Sequence, residues 1–264
     1  MRILAIGDPH GELEKVKKIP IKDTDLILLT GDLGSSNLMR KMYFDNIERK
    51  KKGLAPIVYS PKQEKTAFME AYDTTIKIVG YLSKQAPVMT IFGNVESSNA
   101  QTREKAKEIG LPLPFLYDQL RKIKGVRVIN NQLSNFHGIR IGGLEYFLDT
   151  SWVKEFHPQN YKEKLSDAKF ETDKARRILR RFGTTDILLC HQPPYGVLDK
   201  VIAKYAPKHW QGKHAGSKAV LDYISRYQPR YVLCGHMHET KGEQKIGKTE
   251  VHNLGVAGYK VIEL

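Results

Sequence analysis

Several things are scarce in this 264-residue chain. It has two cysteines, Cys190 and Cys234, too few for a disulfide scaffold, which points to a reducing, cytoplasmic setting. No window approaches the roughly 18 consecutive apolar residues that span a bilayer, so no membrane is expected as a partner. The N-terminal apolar stretch ends at Gly7-Asp8, too early for the apolar region of a signal peptide. Repeats and low-complexity tracts are missing. Gly7-Asp8-Pro9-His10-Gly11 lacks the G-x-G-x-x-G spacing, which argues against a dinucleotide oxidoreductase. Acidic residues are outnumbered, 29 against 43 basic ones, for a formal net charge of +14. That imbalance leaves anionic partners open: nucleic acid, nucleotides, phosphate esters or lipid headgroups.

What is present is an ordinary globular composition, 41% hydrophobic and 27% charged, which argues against disorder. A chain of this length buries roughly three quarters of its unfolded surface, and a single domain over 1–264 is expected. Short apolar runs read as buried strands at Ile3–Ile6, Leu26–Leu29, Pro87–Phe92, Asp186–Cys190 and Arg230–Cys234. Ile139–Phe147 is a further β segment, and Glu243–Leu264 reads as short β runs. Gly11–Ile19 and Lys218–Tyr227 read as helices. Phe68, Tyr72, Ile76, Val79 and Leu82 form one helical stripe within Lys62–Gln85. Together with the basic stretch Arg40–Lys52, that stripe predicts a helical basic insertion at about 35–85. Phe170–Phe182 is a second amphipathic helix with Lys174, Arg176, Arg177, Arg180 and Arg181 on its outer side. Continuous apolar strands alternating with helices predict an α/β fold with sheets covered on both faces.

Each of the five core strands ends in a ligand-type side chain. Asp8 and His10 follow the first, Asp32 the second, Asn94 the third, His191 the fourth, His236 and His238 the fifth. Sites in α/β folds form at the carboxyl ends of strands, so seven such residues converge from five remote segments. One Gly-Asp turn or one histidine would be unremarkable; the joint occurrence predicts a metal site. Mixed carboxylate, amide and imidazole donors suit Mn²⁺ first, with Fe²⁺, Ni²⁺ or Zn²⁺ also fitting. Seven donors exceed one four-coordinate zinc and match two divalent metal ions about 3.5–4 Å apart sharing a carboxylate. His236 and His238 are one residue apart, so on an extended loop they point to opposite sides, one for each ion.

The ordered set Gly7-Asp8-Pro9-His10-Gly11, Gly31-Asp32, Gly93-Asn94, His191 and Gly235-His236-Met237-His238 resembles the calcineurin-like metallophosphoesterase superfamily. The resemblance implies a four-layer α/β/β/α sandwich with two packed mixed β-sheets. It implies Asp8, His10, Asp32 and His238 around one metal, and Asp32 (the bridge), Asn94, His191 and His236 around the other. It also implies a dimetal-dependent phosphoesterase that hydrolyses phosphate esters. Many members follow the Gly-Asn motif with a histidine that assists the leaving oxygen. Here Val95 follows, and valine transfers no proton, so a phosphodiesterase is expected ahead of a broad phosphomonoesterase or a nucleotide pyrophosphatase. A non-catalytic scaffold that binds nucleic acid or a partner is the rival outside the enzymes.

His214 opens the Lys218–Tyr227 helix, whose N-terminus favours anions; it is the candidate catalytic substitute for the missing acid, against the plainer reading of a surface histidine. Glu96 is read as a first-turn helix charge, with support of the ligand loops as the alternative. Cys190 and Cys234 end apolar strands and read as small buried hydrophobes. The basic stretches at 40–52 and 174–181 could hold a phosphate backbone, although solvated helix faces are the commoner explanation. His137, His157, His209 and His252 have no context that assigns them a role.

Overall fold

Along the first strand Ile3 and Ala5 face one way and Leu4 and Ile6 the other, and all four are fully buried. A strand apolar on both sides must be covered on both faces, and that requirement builds the molecule. The computed structural model describes residues 1–204 and 206–264. Its first half runs β1 (Arg2–Ile6), α1 (Leu13–Lys17), β2 (Leu26–Leu29), α2 (Asn37–Lys51), α3 (Pro61–Leu82), β3 (Val88–Thr90), α4 (Asn99–Ile109), α5 (Leu116–Leu120) and β4 (Val126–Val128). Its second half runs β5 (Gln132–Phe136), β6 (Ile139–Leu144), α6 (Thr150–Phe156), α7 (Tyr161–Phe182), β7 (Ile187–Cys190), α8 (Lys218–Tyr227), β8 (Tyr231–Cys234), β9 (Gly242–Ile246), β10 (Thr249–Asn253) and β11 (Tyr259–Glu263).

Two mixed sheets result. The first has the order β11-β1-β2-β3-β4, with β11 antiparallel to β1 and the rest parallel. The second has the order β5-β6-β7-β8-β10-β9, parallel from β6 to β10 and antiparallel at both edges. Ile3, Ala5, Leu26 and Leu28 from one sheet meet Ile141, Ile187, Leu189 and Leu233 from the other in an apolar layer between them. Leu4, Ile6, Ile27 and Leu29 turn outward onto Val16, Ile78, Val79, Leu82 and Leu120 of the helices. On the far side Leu188 and Val232 pack on Ile178, Leu179, Val220 and Ile224. This is the expected α/β/β/α sandwich. Each fully buried Leu or Ile contributes about 1.5–3 kcal/mol by leaving water.

The 35–85 stretch, expected as one insertion, divides in two. α3 buries Ile78, Val79 and Leu82 in the outer helical layer and is the crossover between parallel β2 and β3. α2 buries no residue. Its start is tied to α3 by Glu70, which accepts from Ser35 Oγ at 2.9 Å and Leu38 N at 2.8 Å. α7 begins at Tyr161, earlier than the apolar stripe predicted. Its first turns are mostly charged and solvated, so periodicity carries no mark of them there.

Candidate metal centre

The carboxyl ends of β1, β2 and β3 lie against those of β6, β7 and β8, and the seven residues read from the sequence meet at that edge. Three of them take left-handed backbone angles: His10 at φ 45°, Asp32 at φ 45° and His236 at φ 63°. Non-glycine residues rarely adopt such angles, and they persist where the surroundings over-determine them. Each turn swings a side chain off its strand axis and into the shared edge. Two glycines provide the room. A Cβ at Gly93 would overlap Asp32 Oδ1 and His191 Cε1, and one at Gly235 would overlap the Asp8 carboxylate.

Two groups of side chains form. In the first, His10 Nε2 and His238 Nε2 stand 3.2 Å apart, Asp8 Oδ2 is 3.1 Å from His238 Nε2, and Asp32 Oδ2 is 3.6 Å from His10 Nε2. In the second, Asn94 Oδ1 lies 3.1 Å from His191 Nε2 and 2.9 Å from His236 Nδ1, and Asp32 Oδ2 is 3.6 Å from His191 Nε2. Asp32 touches both. His238 stands in the first group and His236 in the second, but the extended backbone invoked for such a division is absent. His236 is left-handed and His238 opens a 3-10 turn, and that sharp bend sends the two rings apart.

The donor chemistry favours a cation. His191 Nδ1 lies 2.9 Å from the carbonyl oxygen of Thr30. A carbonyl only accepts, so Nδ1 holds the hydrogen and the neutral ring turns its Nε2 lone pair toward Asn94 Oδ1 and Asp32. Two ring nitrogens 3.2 Å apart can share one hydrogen at most. Both groups are therefore rich in lone pairs and poor in hydrogens, and buried acceptors without donors are costly. Within the protein alone, protons partly fill the gap. Burial disfavours a charged His191, yet the Asp32 and Asp8 carboxylates outweigh it and raise its affinity for a proton. Burial and the neighbouring His191 push His236 down to about 3. Burial opposes ionisation of Asp8, but His191, His238 and Thr30 together hold it down at about 2. Asp8–His10–His238 and Asp8–Asp32–His191 each place three ligand atoms within 4.8 Å of one another.

Glu96 is not a helix charge. α4 begins at Asn99, capped by Ser98, and Glu96 lies before it, buried beneath the ligand loops. Its Oε2 accepts from Asp32 N and Gly93 N, both at 2.9 Å, and its Oε1 accepts from Leu33 N at 2.6 Å and Gly34 N at 3.3 Å. One carboxylate thus ties the loop after β2 to the loop after β3. Burial and the nearby Asp32 push it up to about 7, against the pull of those N–H groups. The helix reading failed because α4 starts only at Asn99, after Ser98, and because the loops hold four N–H donors that need an acceptor.

Sequence reasoning missed two further residues. Thr30 donates its hydroxyl to Asp8 Oδ1 at 2.7 Å while its carbonyl faces His191. Tyr146 follows β6 and sets its ring 5.8 Å from His191 and 5.6 Å from His236. Its place at the end of the 139–147 β segment was the available signal. Val95, by contrast, faces away from the ligands and lines a small cavity with Phe68 and Tyr72 of α3, while its N–H donates to Asp32 Oδ1 at 2.8 Å.

His214 sits in the loop beside the His191 loop, where Pro194 bridges Ser217 and Lys200 bridges His214. Its Nδ1 is 2.7 Å from Asp199 Oδ1. Asp199 is buried and also accepts from Gly196 N and Gly216 N. The neighbouring Ala215 packs with Met237, between His236 and His238. The loop therefore borders the turn that carries His236 and His238, with an imidazole whose Nδ1 is committed to a carboxylate.

Among the described residues, no helix is long and apolar enough to cross a membrane. A UPF0046 protein of Caenorhabditis elegans is 24% identical over 259 residues, covering 96% of this chain and 55% of the relative. A second UPF0046 protein of that organism is 27% identical over 120 residues, covering 44% of this chain and 34% of the relative. The chain thus spans about half the length, or less, of these curated relatives. A phosphopantetheinyl hydrolase from Mycobacterium tuberculosis superposes with a TM-score of 0.54 at 12% identity, covering 97% of this chain and 89% of the other. A dimetal phosphatase from Danio rerio superposes at 0.51 and 11% identity, covering 98% and 88%. At these identities the likeness is one of fold. The sequence pattern of the calcineurin-like phosphoesterases matches residues 1–240, and with most of its length so matched this chain belongs to that family.

Proposed function

We propose that the chain is a two-metal hydrolase of phosphodiesters. Asp8, His10, Asp32 and His238 would hold one divalent cation, and Asp32, Asn94, His191 and His236 the other. The observation that carries this is the pair of acceptor clusters joined at Asp32 Oδ2, 3.6 Å from a ring nitrogen on each side. Their carboxylate, amide and imidazole donors suit Mn²⁺, with Fe²⁺, Ni²⁺ or Zn²⁺ as alternatives. When bound, two such cations polarise phosphoryl oxygens and bring the ionisation of water toward neutral pH. The chain's own contribution is to hold the ligands in place before substrate arrives. Thr30 fixes the His191 tautomer, Glu96 fixes the Asp32 and Gly93 backbone, and Tyr146 shields the His191 and His236 rings. Such positioning and electrostatic preparation is the main protein term in phosphoryl transfer.

The diester preference rests on Val95. General acid help is worth about 10²–10⁴-fold, and the side chain after Asn94 supplies none. Leaving groups stable as anions suffer least. His214, oriented by Asp199, is the residue we assign to assist poorer ones. Buried, unpaired Cys190 and Cys234 fit a reducing compartment.

The test is turnover of an aryl phosphodiester and the matching monoester with Mn²⁺, Ni²⁺ and Zn²⁺. The diester should be the faster substrate. A monoester preference above tenfold would overturn the diester assignment, and turnover of neither with any metal would overturn the hydrolase.

A further inference from the structure

α7 carries an exposed stripe that the metal centre does not use. Phe170, Lys174, Arg177 and Arg181 are spaced by four, three and four residues, so they share one helix face. All four are exposed, Phe170 at 69%. Lys174, Arg177, Arg180 and Arg181 form no ion pair among the described residues, whereas Arg176 on the adjoining face is paired with Asp222 at 3.2 Å. Lys174 feels the Glu145 carboxylate across the neighbouring cavity, but the four cations still lie close enough to repel one another, and an anion relieves that cost.

The stripe leads to the ligand cluster. A cavity of about 330 Å³ opens beside Asn94 and is walled by Tyr146, Phe170, Lys174, Glu145 and Asn131. A groove along α7, lined by Lys174, Arg177, Arg180 and Arg181, adjoins it and shares Lys174 and Ile178 with it. The cavity is large enough for one small-molecule group. Its aromatic edge and its amide and carboxylate groups suit a planar, hydrogen-bonding ring, while Glu145 and Glu171 disfavour a phosphate inside it. Phosphates fit the groove instead. From Lys174 to Arg181 the helix rises about 10.5 Å, over which a nucleic acid strand places about two or three phosphates.

We infer that α7 is the binding track for a single-stranded nucleic acid, with a base stacked on Phe170 at the cavity mouth and successive phosphates along Lys174, Arg177 and Arg181. An exposed aromatic beside a cationic groove is how sequence-tolerant single-strand binding works. The inference rests on the diester reading for naming the bound strand as a substrate; the track itself does not depend on turnover.

The test is fluorescence anisotropy of a labelled oligothymidylate of about 12 nucleotides, with chelator present so that nothing is cleaved, across a salt series. Binding should weaken steeply with salt. Arg177→Glu/Arg181→Glu should reduce the log–log salt slope by about 1.4, the share of two phosphates on a single strand. Phe170→Ala should weaken binding by about 5- to 150-fold. The double variant should turn over a small aryl diester like the wild type. Absent binding, or binding indifferent to the double variant, overturns the track. Tighter binding to phosphatidylserine vesicles than to the oligonucleotide, lost in the same variant, also overturns it in favour of a lipid surface. Charge-dependent oligonucleotide binding without any diester turnover would leave the track standing and remove the hydrolase; diester turnover without such binding would do the reverse.

Discussion

His191 turns its Nδ1 onto the carbonyl oxygen of Thr30, 2.9 Å away, and so presents Nε2 to the cluster. The same Thr30 gives its hydroxyl to Asp8 at 2.7 Å. A single residue after β2 therefore sets one imidazole and one carboxylate, on two different sheets.

Asp32 is the shared member of both groups. Asp32→Asn keeps its shape and removes its charge, so metal content measured by elemental analysis should fall below the wild-type complement, and diester turnover should drop by more than about 10²-fold. A variant that keeps two metals and full turnover would show that Asp32 does not bridge.

The remaining ligands should separate by side. His191→Ala and His236→Ala should weaken one metal position, and His10→Ala and His238→Ala the other, as read by anomalous scattering from crystals of each variant. Loss confined to the Asp8–His10 position in His236→Ala would reverse the assignment.

Removing the Glu96 carboxylate strands four buried N–H groups. Each unsatisfied group costs about 1–3 kcal/mol, so Glu96→Ala should lose about 4 kcal/mol or more in denaturant unfolding and bind metal more weakly. Glu96→Gln turns its amide donor toward one pair of those groups and should also destabilise. Wild-type stability in both variants would refute the tie.

His214→Ala separates proton donation from phosphate binding. Across a series of aryl and alkyl leaving groups, a steeper dependence in the variant supports donation. Parallel slopes with a uniform loss mean that His214 only holds phosphate.

Glu145 offers a pH test outside the ligands. Burial and the nearby Glu171 outweigh the pull of Asn131 and Lys174 and raise its proton affinity above the ordinary value of 4.5. The fold therefore disfavours its charged form. Stability is fully present below about pH 4 and is lost as pH rises through the raised value. Glu145→Gln should raise Tm by a few degrees at neutral pH and leave it unchanged near pH 4. A Tm gain that is equal at both pH values would refute this.

Much of the molecule was written locally. Strand runs such as Leu26–Leu29 and Tyr231–Cys234 are apolar on both faces, which demands two covered sheets, and strand ends that stop at Asp8, Asp32, Asn94, His191 and His236 mark the edge of the site. These are short-range patterns, and a period of two or 3.6 residues reads them directly. The tertiary structure decided what depends on remote backbone. Glu96 looked like a helix charge because its four N–H partners belong to residues 32–34 and 93, which only the adjacency of β2 and β3 brings beneath it. Tyr146 joined the centre because β6 runs parallel to β7, a pairing that no local pattern encodes. The partition of His236 and His238 arose from a left-handed residue followed by a 3-10 turn. The sequence determined which side chains stand at the ends of the strands; the packing of two sheets determined which lone pairs face one another, because that is set by backbone turns that alternation does not record.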